Sequence, residues 1–414
     1  MIIRARIILP VSSPPIEDGG MVIAGNTIRC VCSFRDLKSM TRSKVVDLGD
    51  SVVLPGLINA HCHLDYTDMA GLLSPPGTFL DWIGTITSIK SSWSYSDYAR
   101  SWLNGSKQLQ ETGVTTVADI ESMPDLLPEV WHSTPLRLYS FLEMTGILSR
   151  RPPYEILAEA RDKIDALKHR RNRAMLSPHA PYSTRPELLR QTMRLARKRS
   201  LRIACHVAES AEEFEMFRHA RGRMFQWLSR NGRDNADCGL GSPVAHLARN
   251  KLLGENVLAV HVNYLAPGDA TLLGKNKTHV VHCPQSHDFF RHAPFPRRRL
   301  AAAGVNLCLG TDSLATTRKI GREKPRLNLL QEMSLLAKQD PGLSPREILE
   351  MATLNGAKAL GLSGRIGQLS QGFEADWVAI PFKGSAHRAM EAVIHHPGKI
   401  QAGMIGGNWT VPPE

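Results

Sequence analysis

The chain has 414 residues, of which 42% are hydrophobic and 22% charged, as in an ordinary globular protein. No run of about 20 apolar residues occurs, and the apolar part of MIIRARIILP is too short for a signal peptide, so we expect neither a membrane span nor a secretory leader. A net charge of +12 would suit nucleic acid, but the basic runs lack interleaved aromatic residues, and we interpret them as a solvated arginine-rich surface.

The N-terminal part of the chain predicts a small antiparallel β unit. Short apolar stretches are separated by turn sequences such as Glu17-Asp18-Gly19-Gly20 and Gly25-Asn26. The predicted strands cover residues 1–9, 20–24, 27–31 and 44–48.

Beyond residue 50 the pattern changes to short apolar runs that alternate with helical stretches. The apolar runs are residues 52–60, 114–120, 136–142, 174–177, 201–207, 257–262, 279–281 and 305–310. The helical stretches include residues 98–112, 154–168, 185–198 and 210–231. Nearly continuous apolar strands that alternate with helices indicate a parallel sheet covered on both faces, and eight such units predict a closed (β/α)8 barrel of the α/β class.

The last part of the chain predicts two helices followed by more strands. The helices cover residues 328–337 and 345–360, and the strands cover residues 366–369, 377–380 and 401–405. We expect these strands to join the N-terminal ones in a β-sandwich built from both termini. The predicted domains are therefore residues 1–55 and 365–414 for the sandwich and 56–364 for the barrel.

Polar residues occupy the C-terminal ends of five predicted barrel strands, where the chemistry of such barrels takes place. They are His61 and His63 on the first strand, His179 after the fourth, His206 and Glu209 after the fifth, His261 on the sixth, and Asp312 and Ser313 after the eighth. Any one of these could be an ordinary core or loop residue, but their convergence from separate strands predicts a metal site.

Four of these residues form a plausible ligand set for one divalent ion. His61, His63, His206 and Asp312 supply three imidazoles and a carboxylate, which suit zinc best, with Fe(II) and Mn as alternatives. A metal ion lowers the pKa of its water from about 15.7 towards about 7, which makes a nucleophile at neutral pH.

The remaining polar residues predict the proton-transfer chemistry. Asp312 can also act as a base towards the water, and Glu209 as a general acid towards the leaving group. We expect His261 to polarise the substrate and hold the water, and His179, further out, to contact the substrate.

The seven cysteines predict free thiols rather than disulfides. Their number is odd, and several lie inside apolar runs, which favours a reducing cytoplasm. Cys30 and Cys32 resemble half of a zinc site, but no second pair follows, so we interpret them as strand residues. Strand alternation points Cys62 away from the metal.

The stretches PGLINAHCHLD, SPHAPYST, CHVAES, HVNYL, HCPQS, LGTDSLA and IGQLSQGFEADWVAI resemble the amidohydrolase superfamily. The resemblance is greatest to the branch that contains S-adenosylhomocysteine and methylthioadenosine deaminases, guanine deaminases and triazine hydrolases. It implies a metal-bearing barrel with a β-sandwich and the same four ligands. It also implies that Glu209 and His261 transfer protons and that His179 binds substrate.

Two absences narrow what the resemblance implies. Dinuclear members of the superfamily use a carboxylated lysine at the end of strand four, where this chain reads Ala-Met-Leu-Ser-Pro-His. We therefore expect one metal ion and the hydrolysis of a ring amine. The chain also has no Pro-Cys-x-x-Cys, which excludes the cytidine deaminase fold.

A finer resemblance is to aminodeoxyfutalosine deaminases of the menaquinone pathway, through AHCHLDYT, the stretch containing Trp82, SPHAPYS and the strand end at Glu143. It implies that Trp82 and Glu143 contact substrate, although a tryptophan is more often a core residue and a strand-end glutamate often pairs with an arginine. That activity is the leading prediction. The alternatives are an S-adenosylhomocysteine, adenosine or guanine deaminase, a triazine-type chlorohydrolase, and a non-enzymatic scaffold. We expect a small-molecule substrate, no membrane or nucleic-acid partner, and a homodimer.

Overall fold

Two eight-stranded sheets organise the structure, a computed structural model that describes residues 1–40, 43–148, 150–319 and 324–413. In chain order the strands are β1 (Ile2–Ile8), β2 (Ile16–Ala24), β3 (Thr27–Ser33), β4 (Val45–Asp47), β5 (Ser51–Pro55), β6 (Leu57–Cys62), β7 (Val114–Glu121), β8 (Arg137–Met144), β9 (Arg173–Pro178), β10 (Ile203–Val207), β11 (Val257–His261), β12 (His279–His282), β13 (Leu307–Leu309), β14 (Trp377–Pro381), β15 (Ala402–Ile405) and β16 (Asn408–Val411).

The first sheet, which we call the terminal sheet, combines strands from both ends of the chain. Its order is β16-β15-β14-β5-β1-β2-β3, and β4 pairs with β1. The two ends meet where β14 runs antiparallel to β5, with Trp377 opposite Pro55 and Ile380 opposite Val52. The predicted β unit from both termini is therefore confirmed.

The second sheet is a parallel barrel in which β6 to β13 follow one another in chain order. The barrel closes between its first and last strands. The amides of Thr311 and Asp312 donate to the carbonyl of His61 over 3.0 and 3.1 Å. The predicted (β/α)8 barrel is confirmed, and its closure places Asp312 beside the first pair of histidines.

Most of the helices connect the barrel strands or pack around them, whereas the first lies between β3 and β4 of the terminal sheet. The helices are α1 (Phe34–Met40), α2 (Phe79–Ser92), α3 (Tyr95–Glu111), α4 (Leu127–Val130), α5 (Pro153–Ala166), α6 (Pro186–Arg199), α7 (Ala211–His219), α8 (Arg223–Arg230), α9 (Pro243–Arg249), α10 (Asp269–Lys275), α11 (Pro284–Phe289), α12 (Arg297–Ala302), α13 (Leu329–Gln339), α14 (Pro345–Met351), α15 (Leu354–Ala359) and α16 (Ala389–Ile394). Capping boxes at Ser94 and Ser344 fix the starts of α3 and α14. Within the described ranges, no helix has the length and apolar character needed to cross a bilayer.

The predicted strand 52–60 was wrong, because it is two strands in different sheets. β5 belongs to the terminal sheet and β6 to the barrel, with Gly56 between them. The amide of Gly56 donates to the carbonyl of Asp376 over 3.0 Å, and a Cβ at this position would lie 2.2 Å from the Thr115 side chain. Only glycine fits where the chain passes so closely from one sheet to the other.

Three other predictions fail where the backbone leaves its regular path. Residues 366–369 form no strand, because Gly367 has a φ of +92°. The predicted helix 210–231 breaks at Ala220, where φ is +49°, and the helix predicted for 345–360 breaks at Thr353. Helix α2 and strand β16 were not predicted.

The apolar core forms separate clusters inside and outside the barrel wall. Ile120, Phe141 and Val260 belong to one buried cluster, whereas Cys62 lies with Leu64 and Trp102 in another. Each such fully buried side chain contributes about 1.5–3 kcal/mol to folding. All seven cysteines are free, as predicted, and five of them are buried.

Candidate metal centre and active site

Five residues converge at the C-terminal end of the barrel, as the strand ends predict. One ligand atom from each of His61, His63 and His206 lies within 4.8 Å of the others, and the same holds for His61, His261 and Asp312. All five side chains are buried. The closed barrel therefore gathers four imidazoles and one carboxylate in a single small volume.

The separations between these atoms match those of ligands that share one metal ion. The Nε2 atoms of His63 and His206 are 3.3 Å apart, and Oδ1 of Asp312 lies 3.5 Å from Nε2 of His61 and 3.6 Å from Nε2 of His63. Zinc–ligand bonds of about 2.0–2.1 Å at tetrahedral angles separate two ligand atoms by about 3.3–3.4 Å. The donor set is thus spaced for a four-coordinate ion.

Unpartnered ring nitrogens show that the cluster fits a metal ion. Both ring nitrogens of His61 and the Nδ1 atom of His63 are buried without any hydrogen-bond partner. His206 donates from Nδ1 to the carbonyl of His179 over 2.9 Å, which leaves the Nε2 lone pair facing the cluster. Buried nitrogens without partners are costly, and an ion bound at Nε2 of His61 would remove that cost for this nitrogen.

The protonation states of the cluster also favour a cation. Burial, reinforced by neighbouring imidazoles, holds the pKa values of His63 and His206 well below the ordinary range, so both rings are neutral. Burial alone would raise the pKa of Asp312, but the facing histidines, His61 first, hold it well below its usual value. Neutral imidazoles and an ionised carboxylate are the forms that bind metals.

Beside the cluster, Glu209 and His261 form a pair. Oε1 of Glu209 lies 3.6 Å from Nε2 of His261, and both side chains are buried. Burial, with smaller contributions from Asp312 and Glu213, raises the pKa of Glu209 well above its usual value. Burial lowers the pKa of His261 to about 3. A protonated carboxyl beside a neutral imidazole is suited to giving a proton to a leaving group.

The backbone at these strand ends is strained. Ala208, His261, Val262 and Asp312 all have positive φ angles, between +51° and +74°, although none is a glycine. Such conformations cost about 1–3 kcal/mol each and persist only where the surroundings impose them. Here neighbouring strands impose them, because the amide of Val262 donates to the carbonyl of Val207 over 3.0 Å. The sequence carried no signal for these turns.

A cavity of about 370 Å³ opens outward from the cluster. The predicted residues His179, Trp82, Glu143 and Ser313 all line it. His179 shares a 2.7 Å hydrogen bond between Nδ1 and the Ser183 hydroxyl. The Glu143 side chain makes no hydrogen bond or ion pair with any described residue, so its carboxylate is available to a ligand.

Trp82 fixes one wall of the cavity to the loop after Asp312. Its Nε1 donates to the carbonyl of Ala315 over 3.2 Å, and its ring stacks on Phe79 with centroids 5.5 Å apart. Apolar side chains of α2 such as Ile83 and Ile86 continue this wall. The site therefore offers a mainly apolar slot with polar groups at its base.

Sequence reasoning missed Tyr66 and Lys90. The Tyr66 ring stacks on His63 with centroids 5.3 Å apart, and its hydroxyl is hydrogen-bonded to the Lys90 ammonium. Both residues line the cavity. The sequence held one usable signal for Lys90. Thr78 is the N-cap of α2 and accepts the amide of Asp81, so these two residues mark the start of the helix that carries Lys90.

Asp119, also missed, holds the segment after His63 in place. Its two oxygens accept hydrogen bonds from the amide of Leu64 and from Nε1 of Trp102, both over 3.0 Å. Nearby, burial raises the pKa of Asp65 to about 7. These groups position the ligand loop without entering the cavity.

The sequence model of the amidohydrolase family matches residues 52–410. The chain belongs to this family. The match agrees with the resemblance drawn from the sequence motifs, and it confirms the predicted enzyme class, a hydrolase of carbon–nitrogen bonds other than peptide bonds.

Curated relatives and solved structures are similar over most of the chain. A 5-methylthioadenosine/S-adenosylhomocysteine deaminase of Syntrophobacter fumaroxidans is 31% identical, over 89% of this chain and 79% of the relative. The Helicobacter pylori aminofutalosine deaminase in complex with methylthio-coformycin has a TM-score of 0.88 at 20% identity, covering 99% and 100% of the two chains. An adenosine deaminase from Xanthomonas campestris with bound zinc has a TM-score of 0.84 at 22% identity, covering 99% and 92%.

Proposed function

We propose that this protein is a zinc-dependent hydrolytic deaminase of aminopurine nucleosides. The observation that carries the proposal is the buried Glu209–His261 pair beside the cluster of His61, His63, His206 and Asp312. The deaminase from Syntrophobacter fumaroxidans, at 31% identity, supports the same substrate class.

A zinc ion held by these four residues would supply the Lewis acidity that makes water nucleophilic at neutral pH. The chain's own residues would do the rest. Thr316 donates to Oδ2 of Asp312 over 3.1 Å and so orients a carboxylate that stays ionised and can accept a proton. His261 would hold the purine ring of the substrate against the metal cluster.

Glu209 would protonate the departing amine. An amine leaves a tetrahedral carbon as ammonia only after gaining a proton, and a carboxyl with a raised pKa is a suitable donor. This requirement separates deamination from the release of chloride, which needs no proton.

Within the aminopurine nucleosides we propose aminodeoxyfutalosine as the substrate. The support is the motif resemblance around Trp82, His179 and Glu143, together with the cavity they line. The alternatives are the nucleosides S-adenosylhomocysteine, 5′-methylthioadenosine and adenosine, and the free base guanine. We also propose that the chain works as a homodimer in the cytoplasm.

The test is ammonia release from this panel by the zinc-loaded protein. We expect turnover of at least one nucleoside, its loss after chelation, and its return when zinc is restored. If none of the aminated heterocycles is hydrolysed by zinc-loaded protein, the proposal is wrong. The ranking of kcat/KM across the panel decides between the substrates.

A further inference from the structure

A second cavity, of about 650 Å³, lies at the opposite end of the barrel from the metal cluster. Arg137, the first residue of β8, lines it, and so do Arg170 and Arg171 from the loop before β9. The terminal sheet supplies Gly406, from the β15–β16 turn, and Asn408, the first residue of β16. We call this space the arginine cavity. The arginine cavity lies between the loop before β9 and the terminal sheet.

The floor of the arginine cavity holds a buried guanidinium. The Arg137 side chain is 2% exposed, and its Nη2 lies 2.5 Å from Oε2 of Glu374 and 3.0 Å from Oδ2 of Asp376. Its Nε is buried without a hydrogen-bond partner. One donor of this buried cation is therefore unused by the protein.

The acidic groups near the cavity are fully engaged. Glu374 uses its second oxygen to accept from Nε of Arg365 over 2.9 Å. Asp376 uses its second oxygen to accept from the amide of Gly406 over 2.6 Å. These two carboxylates balance Arg137 and Arg365 and leave no acceptor for other cations.

Arg170 and Arg171 consequently remain uncompensated, since no carboxylate among the described residues pairs with either side chain. A Cβ on Gly406 would lie 3.6 Å from Nη1 of Arg171, so this guanidinium lies over the β15–β16 turn. His169, also at the cavity, accepts the amides of Arg171 and Asn172 at Nδ1 over 3.3 and 3.1 Å. Its proton is therefore on Nε2.

We propose that the arginine cavity binds a phosphate group, supplied by inorganic phosphate or by a phosphorylated sugar. The cavity offers hydrogen-bond donors and two uncompensated positive charges, which match a phosphate dianion, and guanidinium groups bind phosphate in a bidentate manner. The volume of about 650 Å³ exceeds the size of a lone phosphate and leaves room for an attached sugar.

The test is isothermal titration calorimetry of the zinc-loaded full chain with phosphate and with ribose 5-phosphate at fixed ionic strength. Neither probe carries an amine, so neither is a substrate of the proposed reaction. We expect saturable binding with a Kd of about 1 mM or tighter. Tighter binding of ribose 5-phosphate would identify a phosphorylated sugar as the ligand, and equal binding would identify the phosphate group alone.

Two double variants distinguish specific binding in the arginine cavity from nonspecific attraction to the basic surface. Arg170→Gln with Arg171→Gln should weaken binding at least tenfold. Arg197→Gln with Lys198→Gln removes the same charge from exposed positions on α6 and should leave binding unchanged. If both double variants bind phosphate equally well, the anion binds at another site, such as the metal cluster, and the proposal is wrong. Absence of binding to the unmodified chain would also overturn it, whatever the outcome of the deaminase assay.

Discussion

His63 and His206 are 143 residues apart in sequence, yet their Nε2 atoms lie 3.3 Å apart. His206 carries its proton on Nδ1, so its Nε2 lone pair faces Nε2 of His63, and a shared cation fits between the two atoms. We expect His206→Ala to lower zinc affinity by more than about 100-fold, since even residues that only orient ligands account for about 10–100-fold. The measurement is zinc content after dialysis against a weak chelator.

Cys62→Ser is the matched control for the loss of His206. Cys62 lies between His61 and His63 in sequence but is buried in the apolar cluster with Leu64 and Trp102. This variant should retain one zinc ion per chain. Loss of zinc from Cys62→Ser, or its retention by His206→Ala, would contradict the ligand assignment.

Glu209→Gln should abolish most of the deamination while leaving zinc bound. General acid catalysis contributes about 10²–10⁴-fold, so kcat should fall by that factor. Glu213→Gln is the comparison, because Glu213 does not line the cavity and glutamine keeps an oxygen that can accept the amide of Glu209. Since Glu213 contributes to the raised pKa of Glu209, kcat should fall in this variant, but far less than in Glu209→Gln. An undiminished kcat in Glu209→Gln would exclude it as the acid.

Glu213 should also make folding stability depend on pH. Burial raises its pKa from 4.5 to about 8, so between these values the folded chain holds a proton that the unfolded chain has lost. Stability then falls as pH rises, on the order of 1 kcal/mol per pH unit for one group. The advantage of Glu213→Gln over the unmodified chain should therefore grow from pH 5 to pH 8 in urea unfolding. A constant difference would show that Glu213 has an ordinary pKa.

Trp82→Phe should raise KM by about 3–10-fold with kcat nearly unchanged. The change keeps an aromatic ring beside Phe79 but removes the hydrogen bond to Ala315, worth about 1 kcal/mol. Trp93→Phe is the comparison, since Trp93 packs against Tyr98 and does not line the cavity. Equal KM values for the two variants would remove Trp82 from the substrate site.

Gly56→Ala should destabilise the fold by about 1–3 kcal/mol through overpacking, because the new Cβ would lie 2.2 Å from Thr115. Gly84→Ala, in α2 with no atom within 4 Å of the added methyl group, should stabilise the chain by about 0.5–1 kcal/mol. Chemical unfolding of both variants measures the contrast. If Gly56→Ala leaves the free energy of unfolding unchanged, the chain has room for a methyl group where it passes between the two sheets.

The sequence predicted the barrel and the clustering of its polar strand-end residues for the same physical reason. The C-terminal ends of barrel strands meet at one face, so polar residues at several of these ends, such as His61, His206 and Asp312, predicted both the strand ends and the cluster. The break at Gly56 could not be predicted, because residues 52–60 are apolar on both sides of it and only the contact with Thr115 separates the sheets.

The cavity wall was predicted less completely than the metal cluster. Helix α2 carries Trp82 and Lys90, but its apolar pattern is weak, and the contact of Lys90 with Tyr66, which stacks on His63, joins segments that are distant in sequence. The positive φ angles at His261 and Asp312 likewise arise from contacts between strands that are distant in sequence. Such features depend on tertiary contacts that no local pattern encodes.

The pairing of β5 with β14 sets an order on how the chain can fold during synthesis. One edge of β5 pairs with β1, but the other has no partner until residues 377–381 have left the ribosome, by which time every barrel strand has been made. The nascent chain must therefore keep an open strand edge beside the finished barrel, a state that invites association between chains. Nascent chains halted before residue 377 should depend on chaperones far more than the full chain does.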